Sequence, residues 1–209
     1  MENVFQNLAN KKIAIIGLGG IGGYIASLVS RLNPSTLLLI DGDNFSQSNL
    51  NRQLFCTEKT IGKNKAYIAK EFLQDTTKAQ LIVVEKFLTD ENIEIIKDMD
   101  IIMDATDNVM VRLLISSACN KFNIPIIHGA INGYFGQVAI LRPNSKLLES
   151  IYLEKKEVTV LNTLSYVPAL IASFEVSEMV KFFTDSKPLQ DNQLLVIDSL
   201  NNDIRVLNI

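Results

Sequence analysis

Cysteine and histidine are scarce in this 209-residue chain, which carries only Cys56, Cys119 and His128 of those two types. Two cysteines cannot build a disulfide framework, so a reducing compartment, the cytoplasm, is expected. With a single histidine they also fall short of the four side chains a structural zinc site requires, so no zinc is expected. An excess of charge of one sign is missing too. Twenty basic residues face twenty-three acidic ones, a formal net charge of -3, which leaves no basic footprint for a nucleic-acid partner. No apolar run reaches the ~18 residues of a membrane span. The opening MENVFQNLANKK has neither an apolar h-region nor a small-residue cleavage site, and so does not read as a signal peptide. What is abundant is apolar side chain: 47% of residues. That excludes general disorder and predicts one soluble domain over residues 1–209.

Short apolar runs alternate with helical stretches along the first two thirds of the chain. Strands are predicted at Lys12–Ile16, Thr36–Ile40, 81–85, 101–103 and 124–128, and helices from the glycine cluster to residue 32, at Lys65–Leu73, 92–97 and Val109–Phe122. Residues 44–60 have no clear period and read as a long functional loop. Beyond Gly133 the pattern changes to a strand at 137–141, an irregular charged segment at 142–165 and an apolar helix at 168–183. A terminal strand pair at 194–198 and 204–207 follows. The expected fold is α/β, a Rossmann-like doubly wound sheet, mostly parallel, with C-terminal antiparallel strands. In such folds ligands bind at the carboxyl ends of the strands. Gly17, Asp41, Asp104 and Gly129 each follow a predicted strand, which marks that edge as the site.

Gly17, Gly19 and Gly22, with Gly20 between them, form G-x-G-x-x-G after a strand and before a helix. Such a loop lets phosphates approach backbone N–H groups at the positive end of a helix. Asp41 stands at the end of the second strand, about 20 residues on, where an acid can hold ribose hydroxyls. These features alone favour NAD, because they make up the dinucleotide fingerprint. Taken singly, the remaining polar residues also have plain readings. Lys65 reads as a surface helix charge, Asp104 and Asp107 as helix caps, and His128 as a core residue with one satisfied nitrogen. Cys119 reads as packing, and Cys56 as a loop thiol open to solvent.

The segment Asp41-Gly42-Asp43-Asn44-Phe45-Ser46-Gln47-Ser48-Asn49-Leu50-Asn51-Arg52-Gln53 resembles the D-x-D-x-x-x-x-S-N-L-x-R-Q signature of the ThiF/MoeB/HesA adenylyltransferases, relatives of the ubiquitin-activating enzymes. The likeness continues through Ile61-Gly62-Lys63-Asn64-Lys65, Asp104-Ala105-Thr106-Asp107-Asn108, Gly129-Ala130 and Gly136-Gln137. The resemblance implies that Gly17, Gly19, Gly20 and Gly22 line ATP phosphates and that Asp41 holds the ribose. It implies that Asp43 and Asp104 shape the site, that Asn49, Arg52, Gln53 and Lys65 reach the phosphates, and that Asp107, with Asn108 beside it, binds magnesium. The chemistry it implies is attack of a substrate carboxylate on the α-phosphorus of ATP, giving an acyl adenylate and pyrophosphate. Arg52, Lys65 and Asp107 would carry the catalysis. It further implies a twofold homodimer. The apolar residues on several faces of 168–183, among them Leu170, Ile171, Phe174, Val176, Met179, Val180, Phe182 and Phe183, agree with a second chain, or else with a helix wholly buried in a monomer.

The sequence departs from the family in three places. The two C-x-x-C pairs of zinc-bearing members are absent. No arginine precedes Arg31, so the N-terminal arginine that reaches the partner's ATP in many members has no counterpart but Lys11 or Lys12. Residues 144–166 replace a longer crossover loop and contain no cysteine, so a thioester or persulfide step there is not expected. The acceptor stays open between the C-terminal glycine of a ubiquitin-like sulfur carrier, as in thiamine or molybdopterin synthesis, and a small-molecule carboxylate. Two other classes remain: an NAD(P)-dependent oxidoreductase and a non-catalytic nucleotide-binding scaffold.

Overall fold

Two runs of branched apolar residues, β1 (Lys12–Ile16) and β2 (Thr36–Ile40), pair in parallel at the heart of the sheet, and nearly every side chain on them is buried. Burial on both faces is what a parallel strand needs, because helices cover both sides. The computed structural model describes residues 2–152 and 162–209. Around the central pair lie β3 (Gln80–Val84), β4 (Ile101–Asp104), β5 (Ile126–Asn132), β6 (Phe135–Leu141), β7 (Gln193–Asp198) and β8 (Asp203–Asn208). Among the described residues the strands make one sheet in the order β3-β2-β1-β4-β5-β6-β7-β8. Pairing is parallel from β3 to β5 and antiparallel from β5 to β8. The expected fold class is therefore observed. The chain reverses direction of winding between β1 and β4, the place where doubly wound sheets bind ligands.

The pleat sends alternate residues to opposite cores. Ile13, Ile15, Leu37 and Leu39 pack with α2 (Gly20–Ser30), α3 (Lys65–Leu73) and α6 (Tyr166–Thr184). Ala14, Ile16, Leu38 and Ile40 pack with α4 (Val109–Phe122) and α5 (Leu147–Tyr152) on the other side. Each wholly buried Leu or Ile contributes about 1.5–3 kcal/mol.

Local structure differs from expectation where tertiary contacts decide it. A short helix, α1 (Glu2–Leu8), precedes β1 and lies against α6, with Leu8 fully buried and the Lys11 ammonium 5.1 Å from the Phe183 ring centre. Residues 93–96 form a 3-10 turn, and part of the supposedly irregular 142–165 stretch is α5. Residues 153–161 of the crossover lie outside the described residues. The helix α6 is held between β5 and β6 on one side and α2 and α1 on the other. Val167, Ile171, Val176 and Met179 are buried there, and Leu170, Phe174, Val180, Phe182 and Phe183 are half-buried against the same core. Much of its apolar surface is thus covered from within the chain, and the rest is half exposed. Among the described residues no helix is long and apolar enough to cross a membrane.

Candidate functional site

At the top of β1 the chain turns directly into α2. The Gly17 N–H donates to the Ile40 carbonyl (2.9 Å) and the Ala105 N–H to the Ile16 carbonyl (3.0 Å), which pins the turn between β2 and β4. A Cβ on Gly22 would lie 1.8 Å from the Gly17 carbonyl oxygen. That contact allows no side chain, so Gly22 serves the close packing of the loop on the first turn of α2 and does not line the cleft. Asp41 organises the same turn from β2. Its carboxylate accepts from the Leu18 N–H (2.6 Å) and the Asp43 N–H (2.8 Å). Burial raises the Asp41 carboxyl above its ordinary value, although both N–H donors pull it down. Two of its lone pairs remain in geometry to accept from a ligand hydroxyl.

The signature loop folds back over this edge. Asn64 caps α3 by accepting from the Ala66 and Tyr67 N–H groups, and its amide donates to the Asp41 and Asp43 carbonyls. This stitch places Lys65, the first residue of α3, with its ammonium 3.0 Å from an Asp43 carboxylate oxygen. Lys65 is buried and is no surface helix charge. Arg52 is held by the loop itself, donating through Nη1 to the Ser48 carbonyl and Asn51 Oδ1, both at 2.9 Å. Gln53 is buried beside Gly19, and its Oε1 has no hydrogen-bond partner among the described residues. Asn49 points away from the cleft and caps its own turn by accepting from the Ser46 N–H. Cys56 is buried, with its thiol 3.5 Å from the Ser46 carbonyl, and burial first, then Glu58, raises its pKa. It is not the open loop thiol the sequence suggested.

On the β4 side two acids diverge. Asp107 and Asn108 are exposed in the turn, Asn108 capping α4 through the Met110 and Val111 N–H groups. Asp104 is fully buried under the turn. Its Oδ2 lies 2.8 Å from His128 Nδ1, and its Oδ1 accepts from the Thr106 hydroxyl (2.7 Å) and N–H (3.1 Å). Burial pushes the Asp104 carboxyl up, but His128, Arg112 and Thr106 together outweigh it and hold the group below the usual carboxylate range. Arg112, one helical turn after Asn108, donates to the Thr106 carbonyl and places its guanidinium carbon 4.8 Å from the Tyr152 ring centre.

These elements enclose a cleft of about 790 Å³, within the range of small-ligand sites. Of the residues singled out in the sequence, Gly17, Gly19, Gly20, Asp41, Asp43, Arg52, Gln53, Lys65, Asp107 and Asn108 line it; Gly22, Asn49 and Asp104 support its walls from behind. Sequence reasoning missed Lys86, Phe87, Leu88 and Thr89, which follow β3 and close the cleft beside Asp41, and Arg112. The signals were available: residues 86–89 sit past the end of a predicted strand, and Arg112 is four residues beyond Asn108 on a predicted helix.

A nucleotide fits this donor set, because the Gly17–Gly20 backbone, Lys65 and Arg52 line one cleft, with the unpartnered Gln53 Oε1 beside Gly19 left as an acceptor. Among the described residues no three His, Cys, Asp or Glu side chains converge on a metal position. Asp107 alone suits magnesium, which commonly takes one or two carboxylates and completes its shell with phosphates and water.

A doubly wound sheet with this polar cleft at its switch point is the architecture of a nucleotide-binding enzyme. The chain belongs to the ThiF family, whose sequence model matches residues 1–209. It is 25% identical to the SAMP-activating enzyme E1 of Haloferax volcanii over 93% of this chain and 75% of that protein. It is 34% identical to the sulfur carrier protein ThiS adenylyltransferase of Escherichia coli K12, over 66% of this chain and 56% of that one. The crystal structure of E. coli MccB shares the fold, with a TM-score of 0.83 at 21% identity over 98% of this chain and 64% of that chain. The E. coli relative is named an adenylyltransferase, and MccB, at 21% identity, shows the fold alone. The chain spans little more than half of the ThiS adenylyltransferase it matches.

Proposed function

We propose that this protein uses ATP to adenylylate a carboxylate, and that the acceptor is the C-terminal glycine of a ubiquitin-like sulfur carrier serving thiamine or molybdopterin type biosynthesis. The observation that carries the reading is the gathering of Gly17, Gly19, Asp41, Arg52, Gln53, Lys65 and Asp107 in one cleft at the switch point. The names of the Haloferax and E. coli relatives support the choice of acceptor.

In this reading Asp41 accepts from the ribose and the Gly17–Gly20 loop receives the phosphates on backbone N–H groups. Lys65 leaves Asp43 for phosphate, an exchange of one anion for another of higher charge, and Arg52 turns its remaining guanidinium N–H groups toward the phosphates. The acceptor carboxylate is already ionised at neutral pH, so the chain needs no general base. It attacks the α-phosphorus in line; the new bond is carboxylate oxygen to phosphorus, and the bond to the bridging oxygen breaks with its electrons leaving on pyrophosphate. The chain contributes position and positive charge. Magnesium, held by Asp107, would neutralise phosphate charge.

The test is exchange of labelled pyrophosphate into ATP, with and without a purified sulfur carrier ending in Gly-Gly. Exchange that requires the carrier supports the proposal. Exchange with a small carboxylate in its place would move the acceptor to the second chemistry, and no exchange with either would leave a nucleotide-binding scaffold. We also propose a homodimer, as the family resemblance implies.

A further inference from the structure

His128 is buried completely, yet it is not a passive core residue. It is one member of a closed circuit of contacts under the floor of the cleft. Tyr152 Oη lies 2.9 Å from His128 Nε2, and His128 Nδ1 lies 2.8 Å from Asp104 Oδ2. Asp104 Oδ1 binds Thr106 by side chain and backbone, Arg112 binds the Thr106 carbonyl, and the Arg112 guanidinium stacks back over the Tyr152 ring. Gln137 donates to Tyr152 Oη at 2.9 Å. The circuit joins the end of α5 to β5, β6, β4 and the start of α4, and it borders the 105–108 turn that carries Asp107 at the cleft.

The directions of the bonds follow from the charges. Asp104 is an ionised acceptor, so His128 Nδ1 must carry the proton that bonds it. Nε2 meets the Tyr152 hydroxyl at 2.9 Å and the Gln137 amide nitrogen at 3.4 Å; burial pushes that phenol up to about 12, so it keeps its proton at neutral pH. Without the Tyr152 hydroxyl the imidazole loses its shorter contact at Nε2. Without the His128 N–H, Asp104 keeps its charge but loses a buried donor, and it must seek compensation from Thr106 or Arg112, the two groups that hold the turn.

We propose that His128 and Tyr152 are positioning residues for the nucleotide reaction: through Asp104 they fix Thr106, and through Thr106 the place of Asp107, without touching the nucleotide themselves. This rests on the function proposed above. Partners that orient a metal-binding group commonly change activity or metal affinity by about 10–100-fold when removed.

Three variants of the whole protein test it, in pyrophosphate exchange and in calorimetric titration with ATP, each with and without magnesium. His128→Gln can offer an acceptor where Nε2 lies but no donor to Asp104. It should lower kcat by ~10-fold or more and raise KM for ATP only by the share of affinity that magnesium contributes, because the Gly17 and Asp41 walls are undisturbed. His128→Asn can offer an amide N–H where Nδ1 lies and should recover most of the loss. Tyr152→Phe keeps the ring under Arg112, removes only the hydroxyl, and should fall between them. In calorimetry the gain in ATP affinity brought by magnesium should shrink in His128→Gln, with binding of ATP alone unchanged. Wild-type kcat and wild-type magnesium enhancement in both His128→Gln and Tyr152→Phe would overturn the proposal. So would a loss that simply follows the unfolded fraction in thermal melts, with no advantage for His128→Asn. If the wild-type protein exchanged no pyrophosphate, the adenylylation reading would fall, and the calorimetric comparison would still decide whether the circuit positions Asp107.

Discussion

Glu175 is a fully buried carboxyl group with, among the described residues, no hydrogen-bond partner on either oxygen. It projects from α6 onto β5 at Gly129, where a Cβ would lie 1.8 Å from Glu175 Oε1; only glycine at that position leaves room for the acid. Burial, then the charge of Asp104, raise its pKa well above the ordinary 4.5, and Arg112 only partly offsets them. The folded state therefore holds this proton to higher pH than the unfolded chain does. Above pH 4.5 the unfolded chain binds fewer protons, and stability falls by about 1.4 kcal/mol per pH unit until the folded carboxyl also ionises. Glu175→Gln keeps the shape and removes the titration. Below pH 4.5 the two proteins should differ little, since a neutral amide replaces a neutral acid. Across the window above it, the variant should gain about 3–5 °C of Tm over wild type per pH unit, taking ~2–4 °C per kcal/mol for a chain of this length. Melts followed by circular dichroism from pH 4 to pH 8 read this directly. Parallel curves with a constant gap would mean that Glu175 loses its proton in the folded and unfolded states alike, and the reasoning from its burial would be wrong.

Arg52→Ala and Lys65→Ala should each slow pyrophosphate exchange by ~10²-fold, or about 3 kcal/mol of transition-state stabilisation; exchange at the wild-type rate would remove both from the chemistry. Arg52→Ala should leave Tm nearly unchanged, since its partners are loop acceptors open to water, whereas buried Lys65 should cost more. Calorimetry should find ATP bound more tightly than NAD, and the reverse order would favour an oxidoreductase over an adenylyltransferase. Sedimentation at micromolar concentration should show a dimer, and a single species near 23.3 kDa would remove it.

The elements that set the ligand edge were legible because strand ends are marked by punctuation: Gly17, Asp41 and Asp104 each close an apolar run. The loop from Asp41 to Gln53 was legible by its signature and not by any periodicity, since its conformation depends on Asn64 reaching back from α3 to the Asp41 and Asp43 carbonyls. What could not be read is whatever depends on which layer meets which. The apolar faces of α6 looked like surplus because α1, which covers part of them, falls in a segment of weak pattern. Glu175 looked like one more acid on a helix, and nothing in the spacing says that it faces Gly129 rather than water. His128 was correctly placed in the core. Its partners lie on β4, β6 and α5, far apart in sequence, so the circuit it joins was invisible.

The acids at 104 and 107 show why residue type alone could not finish the site. Both are aspartates within one turn after the same strand, and either could cap α4. The pleat separates them. Asp104 pairs with Ile16 and His128 in register, so its side chain follows Ile102 into the core under α4 and α5. Three residues past the strand the pleat no longer applies, and Asp107 stands in solvent at the cleft wall. The same separation holds on the other side of the switch point, where Asp41 is buried and binds two backbone N–H groups while Asp43, two residues on, is half exposed and meets Lys65. In each pair the strand-end acid fixes the loop and the loop acid faces the ligand space. A buried carboxylate that accepts several N–H or O–H donors makes a rigid turn, and a rigid turn lets an exposed carboxylate two or three residues later hold one position. The adenylylation proposed here would draw on that order, with the first acid hidden so that the second can be precise.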